Sequence, residues 1–419
     1  MPALAVTLCS GDVNNERLGE PPMKFGPGAM VAAAFIGPGT VVTAITIGAE
    51  TGASLLWAML CSIAATIILQ ELSVRTALAT NADLAQLIHR LGIGSRWGWG
   101  LIALVVVAIG VGNSAYQSGN LIGAGLGLKA ALGWSLDLII VVASVMGATL
   151  IIVDRYRWLE RVLSSLVMVM AVVFIGLALA LMPEFLTQSA DRLWPTLGLE
   201  SAGLVLALVG TTVVPYNLFL HASAVRRRWQ GVELGRAMSE ARRDALVAIS
   251  IGGLITAAIM VVASVLVAEA TRGSAFEQLV VAVGHRFPVI GPWLIGGGLF
   301  AAGLTSAIAA PIAAGWAVSG ALGWSTAPGS RPVKVIALLV LIVGSTLALQ
   351  ASSPVALILS AQVTNALVLP VVSVVLLVIA NQATVPLIYR NTRLTNGLGI
   401  GVLVFVCVLA ASKLWGLTG

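Results

Sequence analysis

The sequence predicts an all-α integral membrane protein of about eleven transmembrane helices, arranged as two inverted five-helix repeats plus one extra helix. Three observations carry this. The 419 residues are 58% hydrophobic and only 10% charged, with mean hydropathy +1.01, far outside the range of a soluble domain. Apolar stretches long enough to cross a hydrocarbon core of about 30 Å recur along the chain. Two of them are interrupted by proline at corresponding points, at Gly37-Pro38-Gly39-Thr40 and at Thr211-Thr212-Val213-Val214-Pro215-Tyr216-Asn217.

In order, the apolar stretches run over 27–52, 54–76, 97–126, 135–153, 158–182, 202–225, 243–269, 288–320, 333–349, 354–379 and 395–412. Residues 1–24 lack a basic start, an apolar core and a cleavage site, and read as a disordered cytoplasmic tail. The first block spans 25–182 and the second 201–380, with the last helix over 394–413. Because each block holds five helices, an odd number, the second begins from the opposite face of the bilayer. The 45 glycines suit helices that pack closely in lipid, where small residues let backbones approach.

The formal charge of +6 raises the question of nucleic acid, and topology answers it. With the amino terminus in the cytoplasm, all but Lys129, Arg192, Arg272, Arg286 and Lys413 of the 23 Lys and Arg fall on the cytoplasmic side. That asymmetry is the positive-inside pattern of a multi-pass protein of the cell (inner) membrane, and no nucleic-acid partner is implied. Cys9, Cys61 and Cys407 lie far apart, implying neither a disulfide framework nor a metal cluster. No H-E-x-x-H, G-x-S-x-G or G-x-x-x-x-G-K-S/T motif is present, so an enzyme or a nucleotide-driven pump is not the expectation, and no cofactor is called for.

A proline in a lipid-crossing helix removes a backbone donor where no water can replace it, so the break must be buried in protein or line a cavity. Paired breaks point to the binding site of a secondary transporter. The candidate substrate-binding residues are therefore Gly37, Gly39, Thr40, Thr43, Thr211, Thr212, Val214, Tyr216 and Asn217, joined by Gln362 and Asn365 from the tenth helix. In the third helix Asn113, Tyr116, Gln117 and Asn120 cluster within eight residues, with Gln117 and Asn120 as candidate lining of a polar pathway. Each has a plainer alternative: threonines bond back to the preceding turn, and amides bond between helices. His221, a turn past Pro215, and Glu50, near the outer end of the first helix, are candidate coupling groups. For them a packing histidine and an acid reaching the interface are equal alternatives.

These residues carry a resemblance. The stretch GPGAMVAAAFIGPGTVVTAITIGAETGASLLW is similar to the first helix of the Nramp divalent-metal transporters, which have the LeuT-type fold and whose first break normally reads Asp-Pro-Gly-Asn. Gly210-Thr211-Thr212-Val213-Val214-Pro215-Tyr216-Asn217-Leu218-Phe219-Leu220-His221 resembles the sixth-helix signature Gly-Ala-Thr-Val-Met-Pro-His-Asn-Leu-Tyr-Leu-His. The segments around Ile122-Gly123-Ala124 and Ser360-Ala361-Gln362-Val363 resemble the third and tenth helices.

The resemblance implies alternating access, with the first and sixth helices moving against a more static bundle. It also marks departures. Gly37 stands where the family has its metal-binding Asp, Thr40 replaces the Asn, Thr211 the Ala and Val214 the soft Met. Tyr216 replaces a His, and Gln117 and Asn120 replace acidic residues used for proton movement, while Gln362 is retained.

A dehydrated transition metal wants carboxylate, imidazole or thioether ligands, which Gly37 and Val214 cannot supply. Helix starts at the two breaks suit an anion. The first expectation is therefore a small inorganic or organic anion such as bicarbonate. The alternative is a divalent cation, hydrated Mg2+ or Mn2+, with or without proton coupling. The expected partners are this small ion and the bilayer; a monomer is expected.

Overall fold

Among residues 36–93, 98–153, 157–189, 201–267, 273–327 and 329–418, which the computed structural model describes, all regular structure is helical. The elements are α1 (Pro38–Thr51), α2 (Leu56–Thr80), α3 (Leu84–Ile93), α4 (Gly98–Leu132), α5 (Leu136–Val153), α6 (Arg157–Ala180), α7 (Met182–Ser189) and α8 (Ala202–Thr212). They continue with α9 (Pro215–Arg228), α10 (Leu234–Leu266), α11 (Ala275–Arg286), α12 (Gly291–Ala321), α13 (Arg331–Leu349), α14 (Pro354–Ala380), a 3-10 turn (Leu387–Tyr389) and α15 (Arg393–Thr418).

Nine of these segments are long and apolar enough to span a bilayer, counting α8 with α9 as one. A tenth forms from the bent pair Val167–Ala180 and Met182–Gln188, at 58°. The described half of the first expected span, α1, is too short to count, and the rest of that span and the expected tail 1–24 lie outside the described residues. Large apolar side chains such as Val107, Val145, Ile342 and Val408 are more than half exposed on α4, α5, α13 and α15. On a soluble surface such a belt would drive association; here it meets lipid.

Burial orders the helices. The span made by α8 and α9 is 89% buried and that of α15 only 22%, so the second broken helix sits at the centre and α15 at the rim. Close approach depends on glycine at specific crossings. A Cβ on Gly303 would lie 2.5 Å from the Ala124 amide nitrogen, and one on Gly296 would lie 2.5 Å from the Gly127 carbonyl. The glycine-rich run after 288 thus forms one continuous helix, α12, seated against α4, even with Pro311 inside it.

Ion pairs gather at one end. Arg226 of α9 holds Asp83 through two contacts of 3.1 Å, and Arg242 of α10 reaches Glu71 of α2 at 2.6 Å. Buried Arg75 bonds Glu71, the Tyr389 carbonyl and Asn391, tying α2 to the chain between α14 and α15. Glu50 and the α11 segment lie at the other end.

Hydropathy reads only the lipid-crossing part of each element. Helix α10 therefore begins at Leu234 instead of near 243, capped by Glu233, whose carboxylate accepts from the Gly235 and Arg236 amides. The amphipathic helix α3, burying Leu84, Leu87 and Ile88, and the helix α11 are additions to the expected set. The signal for α11 was the Ser274-x-x-Glu277 capping box, which forms in full.

Candidate functional site

The helix starts at the two expected breaks are built the same way. Gly37 is in extended conformation (φ −79°, ψ 170°) and Pro38 occupies the first turn of α1, where its missing N–H costs nothing. At the second break Val213 ends α8, Val214 is extended (φ −76°, ψ 119°) and Pro215 opens α9. No side-chain cap bond forms at either helix start, and the Asn217 backbone amide turns back to the Val214 carbonyl at 3.0 Å, so the starts of α1 and α9 present the positive ends of their helix dipoles. The carbonyl end of α8 supplies the opposite polarity beside them.

The two breaks touch. Thr40 and Thr211, both fully buried, share a hydroxyl–hydroxyl bond of 2.8 Å. Helix α14 runs alongside both. A Cβ on Gly39 would lie 2.2 Å from Gln362 Nε2, and one on Gly210 would lie 1.9 Å from the Gln362 carbonyl oxygen. Glycine at these positions lets the Gln362 amide rest on the first turn of α1 while its backbone lies against α8. Helix α4 closes another side: a Cβ on Gly123 would meet Pro38 at 2.1 Å, and one on Gly119 would be 3.8 Å from Gln362 Nε2.

Around this crossing the side chains are polar and uncharged. Thr43 Oγ1, Asn217 Oδ1, Asn365 Nδ2, Asn113 Nδ2 and both polar atoms of the Gln362 amide are buried with no hydrogen-bond partner. Tyr116 and Tyr216 stack tilted with ring centroids 5.5 Å apart. Neither hydroxyl has a partner at ordinary hydrogen-bond geometry, although the two are close enough to influence each other. A buried polar atom left unpaired in a protein interior costs about 1–3 kcal/mol, so a cluster of them marks a place where a ligand or water completes the bonding.

The other expected residues separate from this group. Thr212 bonds back to the Leu208 and Val209 carbonyls, as a helix threonine without a ligand does. Gln117 Nε2 donates to the Ala307 carbonyl at 3.0 Å and Asn120 Nδ2 to Gln117 Oε1 at 3.4 Å, so this pair joins α4 to α12. His221 Nδ1 pairs with Gln70 Oε1 at 2.8 Å, its Nε2 being unpartnered. Glu50 is exposed and lines a cavity of about 570 Å3 with Thr46, Ser274, Gln278 and Ser353, apart from the crossing. Val214 is buried beside the tyrosines. Three relationships were not anticipated: the Thr40–Thr211 bond, the tyrosine pair and the Asp83–Arg226 clamp. Each joins residues distant in sequence, and no local pattern marks such a pairing.

Among the described residues no group of three or more His, Cys, Asp or Glu stands close enough to hold a metal ion. What the site offers is hydroxyls, amides, two helix starts and a carbonyl end, able to bond an oxyanion or the water shell of a cation.

Comparison with known proteins fits this architecture. The divalent metal cation transporter MntH of Xanthomonas campestris pv. campestris is 30% identical over 321 residues, covering 73% of this chain and 70% of that protein. MntH of Agrobacterium fabrum is 28% identical over 324 residues, covering 73% and 68%. In structure, the chain is similar to the Eremococcus coleocola manganese transporter crystallised with an aromatic bis-isothiourea compound (TM-score 0.74, 22% identity, 94% of this chain and 87% of that one). It also resembles a nucleobase-cation-symport-1 family transporter in a closed conformation (TM-score 0.57, 15% identity, 93% and 92%). The fold is thus the LeuT-type fold of secondary transporters. Residues 28–416 match the family described as natural resistance-associated macrophage protein-like, and the chain belongs to this Nramp family.

Proposed function

We propose that this multi-pass membrane protein carries a divalent cation such as Mg2+ or Mn2+ through the crossing of the two breaks, and that the ion keeps part of its water shell. The names of the relatives support a divalent metal cation as the substrate class. The hydrated form rests on one observation, the unpartnered and uncharged set Thr43, Tyr216, Asn217, Gln362 and Asn365 around the crossing. Such groups are poor ligands for a bare transition metal but good partners for coordinated water, and magnesium in particular sheds water reluctantly. Retained waters spread the charge, and the carbonyl end of α8 offsets part of the cost of holding it in a neutral cavity.

A second reading has its own observation. Neither helix start at the crossing has a side-chain cap or an acidic residue in its first turn, which favours a small oxyanion such as bicarbonate. Uptake into proteoliposomes separates the two. Accumulation of Mg2+ or Mn2+ but not bicarbonate supports the cation. Bicarbonate uptake with neither metal entering rejects it in favour of the oxyanion. The Arg-rich end, by its charge, faces the cytoplasm of a cell membrane in this reading.

A further inference from the structure

The crossing itself is closed, with Thr40, Thr43 and Thr211 fully buried, and the two sides beyond it differ. Toward Glu50 lies the cavity of about 570 Å3, reaching Thr46 on α1. Toward the Arg226 end lies a crevice with about 20 Å3 of free space, between Asp83, Leu220, Arg227, Ala313 and Trp316. That is room for about one water molecule. Between crevice and crossing stands a small apolar cluster separate from the main core: Tyr116, Val214, Tyr216, Leu220, Ala310 and Ala313, with Trp316 packed against it. Tyr116 and Tyr216 are 0% and 1% exposed. Beyond them the Arg227 guanidinium sits 5.3 Å over the Trp316 ring, and the Asp83–Arg226 pair closes the end.

We infer that Tyr116 and Tyr216 are the floor of the ion site: their hydroxyls bond the ion's shell, and their tilted rings are the barrier between the site and the Arg226 end. The position follows from the chain. Tyr216 is the second residue of α9, immediately after the break, and Tyr116 reaches it from α4, one turn from Gly119, which faces Gln362. A phenol hydroxyl both donates and accepts, so it can bond coordinated water or an anion oxygen, while its ring excludes solvent. Apart from each other, the two hydroxyls have no protein partner, so each keeps bonding capacity that a substrate's shell can use. Release toward the Arg226 end then demands that the rings part, which a shift of α9 against α4 accomplishes. The hydroxyl contact rests on the ion-transport reading; the barrier does not.

The full chain with Cys9, Cys61 and Cys407 changed to Ser is the parent for transport, and the same chain with Thr43→Cys as reporter is used for labelling only, in vesicles of known orientation. A small thiosulfonate applied from the Arg226 side is expected to modify the reporter at least about tenfold faster with Tyr116→Ala or Tyr216→Ala than in the reporter chain alone. Modification from the Glu50 side should be unchanged. Tyr116→Phe and Tyr216→Phe keep the rings, so labelling stays slow. Loss of one hydrogen bond should raise the KM for whichever of Mg2+, Mn2+ or bicarbonate the parent accumulates by about 2- to 12-fold. If the alanine variants do not fold, Tyr116→Leu and Tyr216→Leu replace them. Unchanged labelling from the Arg226 side overturns the barrier, and an unchanged KM in both Phe variants overturns the hydroxyl contact. Should the parent accumulate none of the three ions, the transport reading fails while the labelling still decides the barrier.

Discussion

Thr40 and Thr211, 171 residues apart, join the first turn of α1 to the end of α8 through a buried hydroxyl–hydroxyl bond of 2.8 Å. In the family pattern these positions carry Asn and Ala; here they hold α1 and α8 together. The bond is neutral and shielded from water, so it should contribute about 0.5–1.5 kcal/mol. Thr40→Val and Thr211→Val keep the shape and remove it. A double-mutant cycle on melting in detergent is expected to give a coupling energy in that range, and strictly additive losses would show that the bond contributes nothing.

The glycines beside Gln362 should differ in what a methyl group does. At Gly210 the added carbon would strike the backbone oxygen of Gln362, which cannot move without displacing α14. Gly210→Ala should therefore cost more than about 2 kcal/mol of stability, in the upper range for a forced overpacking. At Gly39 the obstacle is the end of a flexible side chain. Gly39→Ala should fold with nearly the parent melting temperature but transport poorly, because it pushes the Gln362 amide off the site. Gly110→Ala, with nothing within 4 Å, is the control and should leave both measures intact.

The clamp between Asp83 and Arg226 should be worth testing by charge. Its carboxylate is mostly buried and bonded at both oxygens, so Asp83→Asn or Arg226→Gln should cost about 1.5–3 kcal/mol, the range for hydrogen bonds to charged groups. The reversal Asp83→Arg with Arg226→Asp should recover part of the lost melting temperature. Recovery of none would mean that the surrounding packing, with Gln86 Oε1 near the Asp83 amide, sets the clamp's geometry.

Orientation follows from the charge bias and has a direct check. Val289 is exposed at the end bearing Glu50, and Ser325 is exposed in the turn after α12 at the Arg-rich end. In a chain freed of its own cysteines, Val289→Cys should react with an impermeant maleimide in intact cells, and Ser325→Cys only after permeabilisation. The reverse pattern would invert the topology.

How much of this was legible in the sequence depended on whether the signal was local. The long spans were, because crossing lipid demands an unbroken apolar run that any window detects. The helix start at Pro38 and the break at Pro215 were too, since proline removes a donor wherever it stands. The helices α3 and α11 were hidden because they lie along the bundle ends and carry an amphipathic pattern too short for hydropathy. The roles of Gln117 and Thr212 were undecidable beforehand. Whether an amide or hydroxyl faces a cavity or a carbonyl such as that of Ala307 depends on how α4 and α12 cross, and no spacing in the sequence records that.

The departures at Gly37 and Val214 yield the sharpest prediction about substrate. Gly37 is buried at the helix start in an extended conformation that any residue can adopt, and Asp is a favoured residue at that position of a helix. Gly37→Asp should therefore be tolerated and place a carboxylate beside the positive end of α1. Val214→Met adds a polarizable thioether at the other break, where Val214 is 2% exposed. Together they supply the charge and the soft ligand that the site lacks, so calorimetry should show Mn2+ binding at least about tenfold tighter in the double variant than in the parent, a gain of about 1.4 kcal/mol. Each single variant should gain less, the carboxylate more than the thioether, because only the carboxylate offsets the ion's charge. An unchanged Mn2+ affinity in a folded double variant would mean that the Thr40–Thr211 bond and the Gln362 seat have closed the space that the metal needs.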